Sequence, residues 1–332
     1  AAWIEIMFKR NSSRVLCVAA PTGGVDPINF TLLWRKRMKK VFGAIGSALG
    51  YLMLFLGVQF VVSLLIMLVI MIQTVLGAMP YGYGNEFYLI SEVMDAIFGS
   101  MMLIVLLSDV ITVLVLWLIF FCRRKSFLGE TQICRLPAGG IVPIILLGFS
   151  ANILVSFLLS IVPLPQSWLD SYFQNVSLVV NDKGIIAWIA AVVAAPIAEE
   201  LIFRGLIYTR LKRAMPSVLA AVISSLLFGI AHGTILWAIS TFLIGMLLIW
   251  LFETFHSLLA SILAHSALNL VGMLPYFDHE MSDTEGWIWF AASLLVFVAS
   301  ALWIILLRKK KSIPLAGPQE RNMSPAAEES EA

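Results

Sequence analysis

Long apolar blocks, separated by short polar stretches, dominate the pattern of hydrophobic and polar positions along the chain. Most blocks are about 20 residues long, the length with which an α-helix crosses the hydrocarbon core of a bilayer. The pattern therefore predicts an all-α fold, a polytopic membrane helical bundle with about eight transmembrane spans. The predicted spans are 42–76, 95–121, 138–163, 184–207, 216–233, 235–253, 256–274 and 285–307.

Composition agrees with this fold class. Of the 332 residues, 60% are hydrophobic and only 13% are charged, an excess of apolar residues too large for one soluble core. The net charge of +2 gives no support to a nucleic-acid partner, so we expect membrane lipid around the chain and no nucleic acid. The three cysteines form no CxxC pair, which argues against a disulfide framework or a cysteine zinc site.

Clusters of Lys and Arg mark every second side of the predicted membrane. They stand before the first span and after the second, fourth and eighth spans, whereas the other long loops carry almost none. These clusters are Arg35–Lys40, Arg123–Lys125, Arg210–Arg213 and Arg308–Lys311. Since basic residues favour the cytoplasmic side, both termini are predicted to be cytoplasmic.

The two ends of the chain differ from the membrane domain, which we predict over 38–311. Residues 1–37 have no long apolar run, and Met38-Lys39-Lys40 looks like a natural start, so 1–37 is interpreted as an upstream extension without a functional role. The segment 312–332 is polar and rich in Glu near its end, which predicts a disordered cytoplasmic tail.

Three predicted spans carry all the strongly anomalous polar side chains, apart from Asp109 in the second span. Such a charge at mid-membrane costs roughly 2.5–3.5 kcal/mol on insertion scales, so these residues are candidates for function. The candidates are Glu199, Glu200, Arg204, His232, His265 and Asn269. Asp109, beside Ser108 in the second span, is interpreted as a local cap or pair. Glu253 and His256 form an ExxH that is interpreted as an interfacial turn.

Helical geometry sorts the candidates. Glu200 and Arg204 are four residues apart on one face and can neutralise each other. Glu199 is rotated by about 100° from Glu200, so it has no obvious partner in its own helix. His265 and Asn269 are also four apart and face one way. The helix rise gives the depth of each residue in the membrane, counted from the cytoplasmic interface. By this estimate His265 and Asn269 lie at the level of Glu199, and His232 lies deeper.

This set of residues suits the hydrolysis of a peptide bond. The reaction needs an activated water, a base that takes its proton, and donors for the developing oxyanion. The unpaired Glu199 is the candidate base, and the imidazole and amide groups can hold the water or the oxyanion, or bind a metal. The sequence has no HExxH zinc-protease signature and no GxSxG serine-hydrolase signature.

The candidates resemble the three motifs of the CPBP family of intramembrane proteases, also called Abi, which includes CAAX-processing endopeptidases and bacteriocin-processing or self-immunity proteins. The motifs EExxxR, FxxxH and HxxxN stand here at Glu199–Arg204, Phe228–His232 and His265–Asn269. They occur in the family's order, each in an apolar span, and the resemblance covers about 184–275. It implies a membrane fold of eight spans and a peptidase of the glutamate or metallo-endopeptidase type.

The resemblance also implies roles for the residues. Glu199 would be the general base, and His232 and Asn269 would position the water or stabilise the oxyanion. Glu200 and Arg204 would shape the site, and His265 would join the same polar centre. Members have been called metalloendopeptidase-like, so the expected cofactor is none or one zinc ion. Glu199, His232 and His265 would be its ligands if a metal is present.

The expected substrates are lipidated, CAAX-like peptides, leader peptides or other membrane proteins, and the expected location is the bacterial plasma membrane. A catalytically inactive scaffold or a self-immunity or regulatory protein on the same fold is the alternative. A transporter that uses Glu199 and Glu200 for proton coupling is a third hypothesis, which the absence of internal sequence repeats disfavours.

Overall fold

The computed structural model of the protein describes residues 27–78, 86–180, 184–274 and 282–310. Every regular element within these ranges is helical, which confirms the all-α polytopic bundle. The predicted tail at 312–332 and the first 26 residues of the predicted extension lie outside the described residues.

Helices follow one another with short connections. In chain order they are α1 (Pro27–Ala78), α2 (Glu86–Gly99), α3 (Met101–Cys122), α4 (Phe127–Glu130), α5 (Ala138–Ile161), α6 (Gln166–Val180), α7 (Ile185–Lys212), α8 (Ser217–Ile230), α9 (Ile235–Phe255), α10 (Leu258–Gly272) and α11 (Asp283–Lys310). Two stretches of α7, Ala190–Ala194 and Leu201–Tyr208, are wound as wider π-helix.

Six helices of the described ranges, α1, α3, α5, α7, α9 and α11, are long and apolar enough to cross a membrane. The other two predicted spans correspond to α8 and α10, which have 14 and 15 residues. At 1.5 Å per residue they cover about 21 and 23 Å, less than the hydrocarbon core of about 30 Å. The predicted total of eight spans therefore stays a prediction.

Three helical segments were not predicted. The helix α1 already begins at Pro27, so residues 27–37 of the predicted extension form its first turns. Most of α2 occupies a predicted loop and is separated from α3 by a break at Ser100. The helix α6 lies between two predicted spans, and its ring contact from Tyr172 to Trp237 of α9 has a centroid distance of 6.4 Å.

The helix α7 lies at the centre of the bundle. It packs against α1, α3, α8 and α10, and every residue from Leu201 to Tyr208 is buried. A second apolar core joins α5, α9, α10 and α11. Between α5 and α10 the backbones touch, because a Cβ atom placed on Gly148 would overlap the carbonyl group of Ala264. This contact fixes α10, and with it the motif that α10 carries.

Ion pairs hold the C-terminal end of α7 to its neighbours. Glu130 accepts hydrogen bonds from Arg210 at 2.8 Å and from Lys125 at 3.2 Å. Partial burial opposes ionisation of Glu130, but hydrogen bonds and charge from Arg210 and Lys125 outweigh it and hold the pKa of Glu130 below its usual range. Lys212 pairs with Glu253 at 2.5 Å.

The chain reverses direction between α9 and α10 at His256, whose φ of 50° is left-handed. The next residue, Ser257, caps α10 by accepting a hydrogen bond from the backbone of Leu259. His256 therefore lies in the turn between the two helices, whereas Glu253 lies in the last turn of α9, so the predicted interfacial turn holds for His256 alone. It orients α10 so that His265 enters the bundle beside α7.

Candidate active site

A fully buried ion pair forms the base of the site. The Nη1 atom of Arg204 donates to Oε1 of Glu200 at 2.6 Å, and both side chains have no exposed surface. This is the i, i+4 pair that the spacing predicts. Removing two opposite charges from water is tolerated only when they meet, so each residue is needed to keep the other buried.

One imidazole joins both glutamates. The Nδ1 atom of His265, on α10, lies 2.9 Å from Oε1 of Glu200, and its Nε2 atom lies 3.7 Å from Oε2 of Glu199. Since the Glu200 carboxylate pairs with Arg204, it acts as the acceptor, so Nδ1 of His265 carries the proton. The Nε2 atom then faces Glu199, at a separation longer than a direct hydrogen bond.

The two neighbouring glutamates differ in access. The side chain of Glu199 keeps 17% of its surface exposed, whereas that of Glu200 keeps none. Because Glu200 already binds Arg204 and His265, its position is fixed. Glu199 is the carboxylate that a reactant can reach. One acid thus holds the site together, and the other is open to chemistry.

An aromatic ring connects His232 to this centre. The ring of Phe228 lies 4.2 Å below the Arg204 guanidinium, 5.9 Å from the His265 ring and 4.7 Å from the His232 ring, measured to the centroids. The Nδ1 atom of His232 bonds the carbonyl oxygen of Phe228 at 2.8 Å. A carbonyl only accepts, so Nδ1 is the donor and Nε2 is the nitrogen that can meet a reactant.

Side chains from neighbouring helices bind backbone carbonyls in both π-helical stretches of α7. Asn269 donates from Nδ2 to the carbonyl of Ala191 at 2.8 Å, and Ser224 donates to that of Phe203 at 2.9 Å. A π-helical turn shifts the backbone hydrogen-bond pattern, and such turns are frequent at functional sites. The Asn269 side chain therefore ties α10 to α7 beside the glutamates.

The structure gathers Glu199, Glu200, Arg204 and His265 by direct contact, whereas His232 joins them through Phe228 and Asn269 through the α7 backbone. Sequence spacing gave Glu199 no partner because the helical period describes contacts within one helix only. The imidazole of His265, from α10, lies between the two carboxylates. Glu199 and Glu200 point in different directions from α7, but each lies next to one nitrogen of this ring.

Two residues near the site were not among the candidates. Trp237 of α9 lies 5.4 Å from the His232 ring, and nothing in the apolar sequence of α9 distinguishes it. Asp109 of α3 is buried, neither of its carboxyl oxygens has a hydrogen-bond partner among the described residues, and α3 packs against the turns Ala195–Glu200 of α7. Its position in the middle of an apolar span was the signal, but the interpretation as a local cap or pair missed its neighbour on α7.

The three proposed zinc ligands do not form a metal site. Among the described residues, no group of three His, Cys, Asp or Glu side chains is placed to hold a metal ion. Glu199 and His265 are adjacent, whereas the contacts of His232 are with Phe228, whose carbonyl oxygen it binds and whose ring it touches. The donor geometry therefore does not fit the ligand set Glu199, His232 and His265.

Similarity to a known family covers the part of the chain that carries the three motifs. The family described as Type II CAAX prenyl endopeptidase Rce1-like matches residues 181–271, which include all three motifs. No curated protein and no solved structure gives a significant match. The protein is an integral membrane protein, and the match confirms the resemblance drawn from its motifs: residues 181–271 are similar to CAAX-type intramembrane endopeptidases.

Proposed function

We propose that the protein is an intramembrane endopeptidase that hydrolyses peptide bonds with a water activated by Glu199. The observation that carries the proposal is the arrangement of three side chains. A reachable carboxylate, Glu199, stands 3.7 Å from His265, which is itself fixed by the buried Glu200. This is the relation of a base to its orienting groups that hydrolytic sites require.

The distance between Glu199 and His265 suits a reactant between them. A gap of 3.7 Å is longer than a hydrogen bond, and one water molecule can contact both groups. Glu199 takes a proton from this water as the oxygen attacks the peptide carbonyl carbon. It then gives the proton to the leaving nitrogen when the carbon–nitrogen bond breaks.

His232 and Asn269 are the proposed partners of the water and the oxyanion. Asn269 uses one N–H on the Ala191 carbonyl, and its amide retains a second N–H for a substrate oxygen. His232, with its proton on Nδ1, presents Nε2 as an acceptor that can orient the water. Both roles depend on the backbone contacts that hold these side chains still.

Glu200 and Arg204 serve the reaction indirectly. Their ion pair has no exposed surface, and Glu200 holds the proton of His265 on Nδ1. The tautomer leaves Nε2 directed at Glu199. We therefore assign these residues the orientation of His265, in the way that a carboxylate fixes the histidine of other hydrolytic sites.

The proposed substrates are peptides that reach the site from lipid or from the cytoplasm: lipidated CAAX-like peptides, leader peptides or membrane proteins. The lipid-facing helices and the family support this class. Since Arg210 and Lys212 lie at the end of α7 that follows the motif, the positive-inside rule supports cytoplasmic termini. The host membrane is proposed to be the bacterial plasma membrane.

Proteolysis in reconstituted liposomes tests the proposal. A panel of lipidated and leader peptides is incubated with wild type, with Glu199→Gln, and with Glu253→Gln as a matched control outside the site. We expect cleavage by wild type and by the control, and a loss of at least about 1000-fold in kcat for Glu199→Gln. Full activity of Glu199→Gln would overturn the assignment of the base.

A chelator added to the same assay tests the cofactor. We propose that no metal takes part, because the three candidate ligands are not placed as a metal site in the described part of the chain, and we expect unchanged cleavage. A second outcome would favour the alternative function. If the wild type cleaves no peptide, and the Glu199→Gln variant gives the same cellular phenotype as the wild type, the protein acts as a scaffold or self-immunity protein and not as a peptidase.

A further inference from the structure

A cavity lies between the C-terminal ends of α9 and α11, away from the three motifs. Its volume is about 260 Å³, and its walls are Trp250 and Thr254 of α9 and Ile305, Arg308 and Lys309 of α11. Both helices pack against α5. Ligand pockets usually measure roughly 300–1,000 Å³, so a space of this size suits one small group and not a whole large molecule.

The cavity carries positive charge that no acid neutralises. In the described part of the chain, neither Arg308 nor Lys309 forms an ion pair, and Glu253, the residue before Thr254, pairs with Lys212 instead. The carbonyl ends of α9 and α11 add partial negative charge, equivalent to roughly half a charge each, so two full cations still leave the cavity positive. The group that fits it is therefore an anion.

Apolar surface continues from the cavity along both helices, toward the middle of the bilayer. On α11, Leu302 stands seven residues before Lys309, on the same face, and is more than half exposed. On α9, Leu243 stands in the same relation to Trp250 and is also more than half exposed. The positive cavity is thus continuous with two apolar stripes that face lipid, so its ligand combines an anionic group with hydrocarbon.

The position of the cavity along the helices agrees with this chemistry. Arg308 and Lys309 belong to the last turn of α11, which ends at Lys310, and Thr254 belongs to the last turn of α9. Cations at the ends of membrane helices reach the level of the lipid headgroups, and Trp side chains favour the same level. The cavity therefore lies where phospholipid phosphates are, and not in the hydrocarbon core.

We propose that this cavity binds the phosphate headgroup of an anionic phospholipid, whose acyl chains lie along the exposed stripes of α9 and α11. Arg308 and Lys309 donate to the phosphate oxygens, as basic pockets between membrane helices do for lipid headgroups. A zwitterionic phospholipid also has a phosphate, but its headgroup amine would lie beside the two cations, so the site prefers an anionic lipid. The inference is independent of the proposed hydrolysis.

Native mass spectrometry of the full chain in mild detergent tests the site, with phosphatidylglycerol as the anionic probe and phosphatidylcholine as the zwitterionic one. We expect wild type to retain one phosphatidylglycerol in preference to phosphatidylcholine. Arg308→Gln with Lys309→Gln should weaken this binding about 10- to 30-fold. The matched control is Arg123→Gln with Arg124→Gln, which removes the same charge from an exposed cluster outside the cavity and should leave binding unchanged.

A second pair of variants separates the cavity from its charge. Ile305→Trp fills the space and keeps both cations, so we expect phosphatidylglycerol binding to be lost while thermal unfolding shows a folded protein. Leu306→Trp adds the same bulk at the next residue, which is exposed and outside the cavity walls, and should bind as wild type does.

Three outcomes would overturn the proposal. Equal losses from the two double Gln variants would show that the lipid responds to general surface charge, and equal retention of the two lipids would show that apolar contact alone holds them. Complete displacement of phosphatidylglycerol by an excess of inorganic phosphate would make free phosphate the ligand. Because none of these measurements uses cleavage, they keep their meaning whether or not the protein is a peptidase.

Discussion

The helices α7 and α11 have the same length, 28 residues, but opposite designs. In α11 the charged residues stand at the two ends, and its middle faces outward, with Leu295 at 72% exposure. In α7 a Glu-Glu pair and Arg204 stand in the middle, and all residues from Leu201 to Tyr208 are buried. Much of the apolar surface of α11 is exposed, whereas the second half of α7 is surrounded by protein.

The comparison shows what limits the sequence of each kind of helix. A lipid-facing helix needs only an apolar surface, so many sequences satisfy it. A buried helix that carries charge depends on specific partners from other helices. We therefore expect α7 to be sensitive to single substitutions that α11 tolerates.

The largest expected effect comes from the buried ion pair. Arg204→Ala leaves Glu200 charged, buried and without its cation, which should lower the free energy of unfolding by about 3–5 kcal/mol. Unfolding in detergent, followed by circular dichroism, measures this loss. The matched control is Leu295→Ala on the lipid-facing side of α11, for which we expect little change.

A double variant separates charge from packing at the same position. Glu200→Gln with Arg204→Met removes both charges and keeps similar volumes, so stability should recover while cleavage stays low because His265 loses its orienting carboxylate. Equal stability of Arg204→Ala and wild type would contradict the account of α7 as a helix held by its charged partners.

A smaller effect is expected where helices touch through glycine. Gly148→Ala places a methyl group against the Ala264 backbone, next to His265, and should destabilise the protein by about 1–3 kcal/mol and reduce cleavage. Gly57→Ala in α1 is the control, because an added Cβ would meet nothing within 4 Å. Thermal unfolding and kcat of both variants give the comparison, and equal effects would show that α5 and α10 can separate without cost.

The smallest expected effect concerns the ion pairs at the end of α7. The lowered pKa of Glu130 means that its charge stabilises the fold at pH values above the ordinary carboxyl range. This stabilisation is lost as the pH falls through the lowered pKa. Glu130→Gln should therefore cost up to about 1 kcal/mol at neutral pH and nothing in strong acid. Unfolding measured across pH gives the difference, and a cost as large as that of Arg204→Ala would contradict it.

Sequence patterns predicted the apolar helices well because hydrocarbon sets their length. The predicted span 138–163 matches Ala138–Ile161, and 235–253 matches Ile235–Phe255. The helix α6 was missed because it is half polar and lies between spans, where hydropathy gives no signal. Its contact through Tyr172 with Trp237 depends on tertiary packing, which no local pattern encodes.

Predictions for the site succeeded within one helix and failed between helices. The Glu200–Arg204 pair followed from spacing alone. That His265 joins both glutamates, and that Asn269 binds the Ala191 carbonyl, depends on how α10 packs beside a π-helical α7. The wider winding has no recognisable signature in the sequences of Ala190–Ala194 and Leu201–Tyr208, so those contacts could not be predicted.

The shortness of α8 and α10 makes the thickness of the host membrane part of the environment of the candidate site. Two motif helices of about 21 and 23 Å cannot match a hydrocarbon core of about 30 Å, and such a mismatch thins the surrounding lipid or tilts the helices. A thin membrane brings interfacial water and polar substrate segments nearer to Glu199, and a thick one holds them away. The acyl-chain length of the host lipids therefore affects how readily substrates reach the protein interior.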